Sequence, residues 1–273
     1  MKLSCLPVSF FGEIIGGTMS VGQWAREAAA VGLDAIDLSI LFVEGQDSSD
    51  LKALRQEIGS AGMKVAMVTT YPDFTNPGSE VRAREAARLE RHITAAAALG
   101  AEMVRVTAGQ AHPETDRADG LTWAIEGLTG ALAVAEKQGI QLVFENHPKP
   151  GIWDYADFAH PTDIFLSIVR ATSGTALGIN FDTANTLVAG DDPLPVLKQV
   201  MDRLVSVHAA DTRAQGRLQP TVIGTGLVPF AEIFAFLRNS GFDGWICIEE
   251  ASGTGRAGVK TAVDFVRQAW ADA

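Results

Sequence analysis

Four short apolar runs in the second half of the chain each end in a residue able to hold a cation: VFE at Glu145, INFD at Asp182, VSVH at His208 and ICIE at Glu249. Three carboxylates and one imidazole form an oxygen-rich donor set without thiolate. Such a set suits one divalent ion, with Mn2+ favoured and Mg2+ or Co2+ as alternatives. Each donor closes a hydrophobic stretch that reads as a β-strand, so each falls at a strand's C-terminal end. A single acid there could merely cap the next helix or pair with a nearby Lys or Arg. Four such residues on successive strands fit that reading poorly, because crowded carboxylates repel unless a cation neutralises them.

The elements that must position these residues follow from an alternation of short β-branched or aliphatic runs with longer Ala-rich amphipathic stretches. Strands are expected at residues 3–10, 35–38, 64–70, 103–108, 141–146, 177–182, 204–209 and 245–249. Helices are expected at 21–30, 49–61, 81–99, 121–137, 161–171, 193–203, 230–240 and 259–270. Several strands are nearly all apolar, as parallel strands covered on both faces must be. Eight of each close a (β/α)8 barrel, and 273 residues suit one α/β domain spanning 1–273. Ser49 and Thr162 are candidate helix starts, while Gly62, Gly100, Gly139 and Gly241 stand where helices should stop. Two long connections, 147–160 and 211–229, both follow strands. In a barrel such loops gather at the C-terminal face and cover the site built there.

Composition narrows the partners. With 22 basic against 33 acidic residues the net charge is −11, which opposes binding to nucleic acid or an anionic membrane surface. The first residues, MKLSCLPVSFF, are interrupted by Pro7 and read as a first strand, and no apolar stretch approaches the roughly 20 residues of a membrane span. Cys5 and Cys247 fall in expected strands among apolar neighbours, on the first and last strands of the barrel. They read as two reduced core thiols, which fits a soluble, cytoplasmic protein.

The segments ENH at Glu145–His147, GINFDTAN at 178–185, VSVHAADTR at 205–213, IGTGLVPF at 223–230 and GFDGWICIEE at 241–250 together resemble the xylose isomerase-like TIM-barrel family of sugar phosphate isomerases and epimerases. The resemblance implies that Glu145, Asp182, His208 and Glu249 are metal ligands and that Glu145 and Glu249 also form the acid/base pair. It implies a small sugar substrate, and barrels of this type commonly associate as homo-oligomers. Three departures bear on the substrate. Asn185 stands where ketose epimerases commonly carry His, Ala209 and Ala210 leave no Lys after the metal His, and Thr225 replaces an acid in the glycine loop. The related endonuclease IV-like enzymes need extra His ligands for several zinc ions. This chain has only five His, and Asn185 stands where one of those would be.

The chemistry so implied is a metal-stabilised enediolate, formed when one glutamate removes a proton beside a carbonyl and the other returns it. Returning the proton gives isomerisation or epimerisation. Expelling a β-hydroxyl instead gives dehydration, as in inosose or keto-sugar dehydratases, and a catalytically silent sugar-binding barrel is the alternative from another class. His147, Asn185, Arg105, Lys149 and Arg213 are expected around the substrate, since each ends or follows a strand. Arg105 could instead pair with a barrel carboxylate. Trp153, with Tyr155 and Phe158, would either wall the sugar or pack the first long loop. The Gly224–Gly226 turn is a weak phosphate signal.

Overall fold

The computed structural model describes residues 1–273. Eight parallel strands run β1 (Lys2–Leu6), β2 (Ile36–Ser39), β3 (Val65–Thr69), β4 (Met103–Val106), β5 (Gln141–Glu145), β6 (Gly178–Asp182), β7 (Leu204–Ala209) and β8 (Trp245–Glu249). They are hydrogen-bonded in the order β1-β8-β7-β6-β5-β4-β3-β2, a nearly closed TIM barrel in one domain. Eleven helices surround it: α1 (Phe11–Ile15), α2 (Val21–Ala30), α3 (Ser48–Ser60), α4 (Ser79–Leu99), α5 (Arg117–Gly130), α6 (Leu132–Gln138), α7 (Thr162–Ala171), α8 (Asn185–Ala189), α9 (Pro193–Val200), α10 (Phe230–Asn239) and α11 (Arg256–Asp272).

The expected and observed elements differ where local chemistry intervenes. The first strand stops at Leu6 because Pro7 turns the chain into a 3-10 turn and then α1. The single helix expected at 121–137 is two, α5 and α6, broken at Ala131. Asp47, rather than Ser49, caps α3, accepting the N–H groups of Ser49 and Asp50. Gly100 closes α4 in the left-handed conformation expected of it, with φ of 74°.

One face of each strand packs on the helices and the other faces the barrel axis. The large outer core includes Leu38, Val104, Phe144, Ile179 and Ile248. A smaller cluster of Met67, Met103, Val143, Trp245 and Cys247 fills the lower barrel. Cys5 belongs to the outer core and Cys247 to the inner one, and the register pairs Cys5 with Ile248 and Ser4 with Cys247. The two thiols are buried, free, and on opposite faces of the sheet.

No paired register joins β1 to β2. The two are held instead by the Leu3 N–H donating to Asp34 Oδ2 (2.9 Å), by Ser4 Oγ donating to Asp37 Oδ2 (2.7 Å), and by the N–H groups of Asp34 and Ala35 donating to the Leu3 carbonyl. No helix is long and apolar enough to cross a membrane.

Candidate metal centre

Glu145, Asp182 and Glu249 end β5, β6 and β8, and His208 stands one residue before the end of β7. The register sets Asp182 beside His208, and the twist of the barrel carries all four side chains to one point. One ligand atom from each lies within 4.8 Å of the others. Asp182 Oδ1 accepts the N–H groups of Ala184 (2.8 Å) and Asn185 (2.7 Å), because the chain turns into α8 here, and Oδ2 is left without a partner. His208 Nδ1 stands 2.6 Å from Glu145 Oε1 and 3.0 Å from Glu249 Oε2, without the alignment of a hydrogen bond. Both ring nitrogens and Glu249 Oε2 are buried without a hydrogen bond, and Glu145 Oε2 has only its ion pair with Arg105. Such atoms are costly one at a time. Gathered at one point, they make a group that could hold a cation, and these residues fit a single divalent ion.

The electrostatics agree. Burial raises the Asp182 carboxyl well above the usual range, and the charges of Glu249 and Glu145 push it further. Burial opposes a charge on His208, yet Glu145 and Glu249 outweigh it and raise the imidazole well above its ordinary value. Burial likewise opposes a charged Glu145, but His208 and then Arg105 hold it below the ordinary carboxylate value. Carboxylates gathered at one point repel one another when charged. A dication removes that conflict.

Buried polar groups fix the ligands. Arg105 is fully buried, with Nε 2.9 Å from Glu145 Oε2, Nη1 donating to the Thr70 carbonyl (2.9 Å), and the guanidinium over the Tyr71 ring. Its pairing with a barrel carboxylate was one of the two roles expected for it. Asn146 donates to the Asp182 carbonyl (3.0 Å) and accepts the Asp182 N–H (2.8 Å). Below the ligands, Asn180 Nδ2 donates to Glu145 Oε1 (3.0 Å), and Ser206 Oγ donates to Asn180 Oδ1 (2.7 Å).

A cavity of about 340 Å³ opens directly above, and Asp182 and Glu249 form part of its wall. Of the residues expected around a substrate, Arg105, His147, Lys149 and Asn185 line it, whereas Arg213 and Trp153 do not. Arg213 is exposed, and its Nε donates to Thr221 Oγ1 (2.9 Å), so it braces its own loop. Trp153 is buried within the first long loop, Phe158 belongs to the outer core, and Tyr155 stacks edge-on against His112. The apolar wall comes instead from Leu6, Val8, Phe11, Tyr71 and Leu218. Burial pushes His147 down to about 4, against the opposing pull of Glu145, so it faces the cavity as a neutral ring. A separate hollow of about 280 Å³ between α2 and α11 holds none of the four ligands.

The glycine turn has a different occupant from a phosphate. Asp211 Oδ2 accepts the N–H groups of Gly224 (2.9 Å) and Gly226 (2.8 Å), and Oδ1 accepts those of Thr212 (2.9 Å) and Val228 (3.2 Å). A Cβ at Gly226 would stand 2.3 Å from Asp211 Oδ1, which is why this position is glycine. Asn146, Asn180 and Asp211 carry the site's geometry without having stood out in the sequence.

Comparison with known proteins agrees with this fold. An inosose dehydratase of Bacillus thuringiensis (strain Al Hakam) is 28% identical over 140 residues, 45% of each chain, so the match spans under half of that relative. The D-psicose 3-epimerase of Clostridium cellulolyticum H10, solved with D-tagatose, superposes with a TM-score of 0.81 over 99% of both chains at 14% identity. The IOLI protein with a bound zinc atom superposes at 0.78 over 99% of this chain and 98% of its own, at 16% identity. The model of the xylose isomerase-like TIM barrel matches residues 25–269. Nearly the whole barrel lies within that match, and the chain belongs to the xylose isomerase-like TIM-barrel family.

Proposed function

We propose that the protein is a divalent-metal-dependent isomerase or epimerase of a keto sugar or related keto-polyol. The observation that carries this reading is the convergence of Glu145, Asp182, His208 and Glu249 on one point beneath the cavity. Their oxygen-rich chemistry favours Mn2+, with Mg2+ or Co2+ as alternatives. When bound, such an ion supplies Lewis-acid polarisation of a substrate carbonyl.

The chain's own groups supply the rest. Glu249 reaches the cavity with about a fifth of its side chain exposed, and it takes the proton beside the carbonyl. Glu145, held by Arg105 and Asn180, is its acid/base partner. His147 and Asn185 offer hydrogen bonds to hydroxyl groups, and the wall of Leu6, Val8, Phe11, Tyr71 and Leu218 excludes water from the carbon skeleton. An uncharged substrate fits the cavity best: Arg105 is engaged with Glu145, Lys149 Nζ already donates to the Asp154 carbonyl (2.9 Å), and the glycine-turn N–H groups are taken by Asp211. A phosphate would therefore meet few free donors.

A second reading, dehydration on the same residues, is favoured by the similarity to inosose dehydratases. Incubating the Mn2+-loaded protein with unphosphorylated keto sugars and inososes in D2O separates the two. Deuterium uptake with all hydroxyls retained supports the isomerase, loss of water supports the lyase, and binding without exchange overturns both.

A further inference from the structure

The inward faces of β6 and β7 carry two polar pairs, one above the other. Asp182 and His208 form the upper pair, and Asn180 and Ser206, each two residues earlier on its strand, form the lower one. Most of the lower barrel is apolar, filled by Met67, Met103, Val143 and Trp245. A polar pair in such a place costs desolvation unless it is hydrogen-bonded, and here each side-chain nitrogen and oxygen of the pair has a partner. Ser206 and Asn180 are both completely buried, the hydroxyl of Ser206 donates to Asn180 Oδ1, and Asn180 Nδ2 donates to Glu145 Oε1.

The direction of this relay matters. A hydroxyl donating to the amide oxygen leaves the NH2 end facing Glu145, so Ser206 fixes which end of Asn180 the carboxylate meets. Arg105 holds the other Glu145 oxygen at 2.9 Å. Glu145 is thereby gripped on both oxygens, and Oε1 keeps its remaining capacity on the side facing His208 Nδ1, 2.6 Å away. A carboxylate so held loses little freedom when it takes up a cation.

We infer that Asn180, oriented by Ser206, is a positioning residue that presets Glu145 for cation binding. The inference rests on the metal reading of the four-residue cluster. Groups that orient a ligand from behind are typically worth about 10–100-fold in metal affinity. Asn180→Leu keeps the volume and removes the donor, and it is expected to weaken Mn2+ binding by about that factor. Ser206→Ala leaves the amide free to turn and is expected to weaken binding by about tenfold, the low end of that range, while Ser206→Thr, which retains the hydroxyl, restores it.

The experiment is isothermal titration of the full chain with Mn2+ alone, alongside thermal unfolding of each metal-free variant. A fall in affinity that exceeds any change in unfolding temperature, with rescue by Ser206→Thr, supports the positioning role. Wild-type affinity in a folded Asn180→Leu, or in Ser206→Ala where Asn180→Leu fails to fold, overturns it while leaving the metal reading intact. A wild-type protein that binds no Mn2+ overturns both.

Discussion

Asn146 and Asp182 are joined in both directions across β5 and β6: the Asn146 amide accepts the Asp182 N–H at 2.8 Å and donates to the Asp182 carbonyl at 3.0 Å. The β5–β6 register continues only to Glu145 and Asn180, so this side chain extends the ladder by one rung where the strands part. Replacing it with Leu strands two buried backbone groups. The expected loss is about 2–4 kcal/mol of stability, measured by urea unfolding of the metal-free protein. Asp182 should then also present its free oxygen less well, seen as weaker Mn2+ binding.

Dication binding should stabilise the fold. At an Mn2+ concentration about a hundredfold above Kd the gain is about 2.7 kcal/mol, or roughly 5–10 °C in unfolding temperature. His208→Ala should lose most of that shift. An equal shift in wild type and variant would show that the ion binds elsewhere.

Asp37 sits wholly buried inside the barrel, bonded to Ser4, with Oδ1 unpartnered. Burial raises its carboxyl from 3.8 to about 6. A folded-state value above the unfolded one means that its contribution is fully present below about pH 4 and is lost as pH rises through about 6. Asp37→Asn should remove this dependence and gain roughly 2–3 kcal/mol at pH 7. Urea unfolding of both proteins between pH 4 and 7 checks it: parallel curves would sink the expectation.

The Asp211 carboxylate gathers four N–H groups from Thr212, Gly224, Gly226 and Val228. Asp211→Ala should release the segment 211–228, giving new protease cleavage there and a raised KM, since Asp211, Leu218 and Pro220 line the cavity. Gly226→Ala should reproduce the defect, because the added methyl has no room.

Glu249→Gln removes the carboxylate that reaches the cavity while preserving its shape. Proton exchange at the substrate carbon should fall about 10²–10⁴-fold with the unfolding temperature little changed. Exchange at the wild-type rate would exclude Glu249 as the base.

The barrel and the cluster of four candidate ligands were legible because each of the four residues closes an apolar run, and the eight runs come at barrel spacing. Less legible was whatever depends on where a side chain turns once its loop is folded. Arg213 bends back to Thr221, a partner eight residues on, and Trp153 folds under its own loop, so neither reaches the cavity despite following a strand. Asn146, Asn180 and Asp211 act largely on backbone or neighbouring polar groups, and nothing in a residue's type announces which carbonyl or N–H it will meet. The five-residue helix α8 is too short for periodicity to reveal, yet its first turn supplies the N–H groups that orient Asp182.

The junction of β1 with β2 makes the cylinder a split ring, clasped by the acidic side chains of Asp34 and Asp37 where the other seven joints are backbone-paired ladders. Thermal breathing should begin there, and amide deuterium should enter at Leu3 and Ala35, whose N–H groups span the junction, sooner than at Val207. The four candidate cation donors lie on β5 to β8, so their cluster stays whole while the clasp opens and shuts.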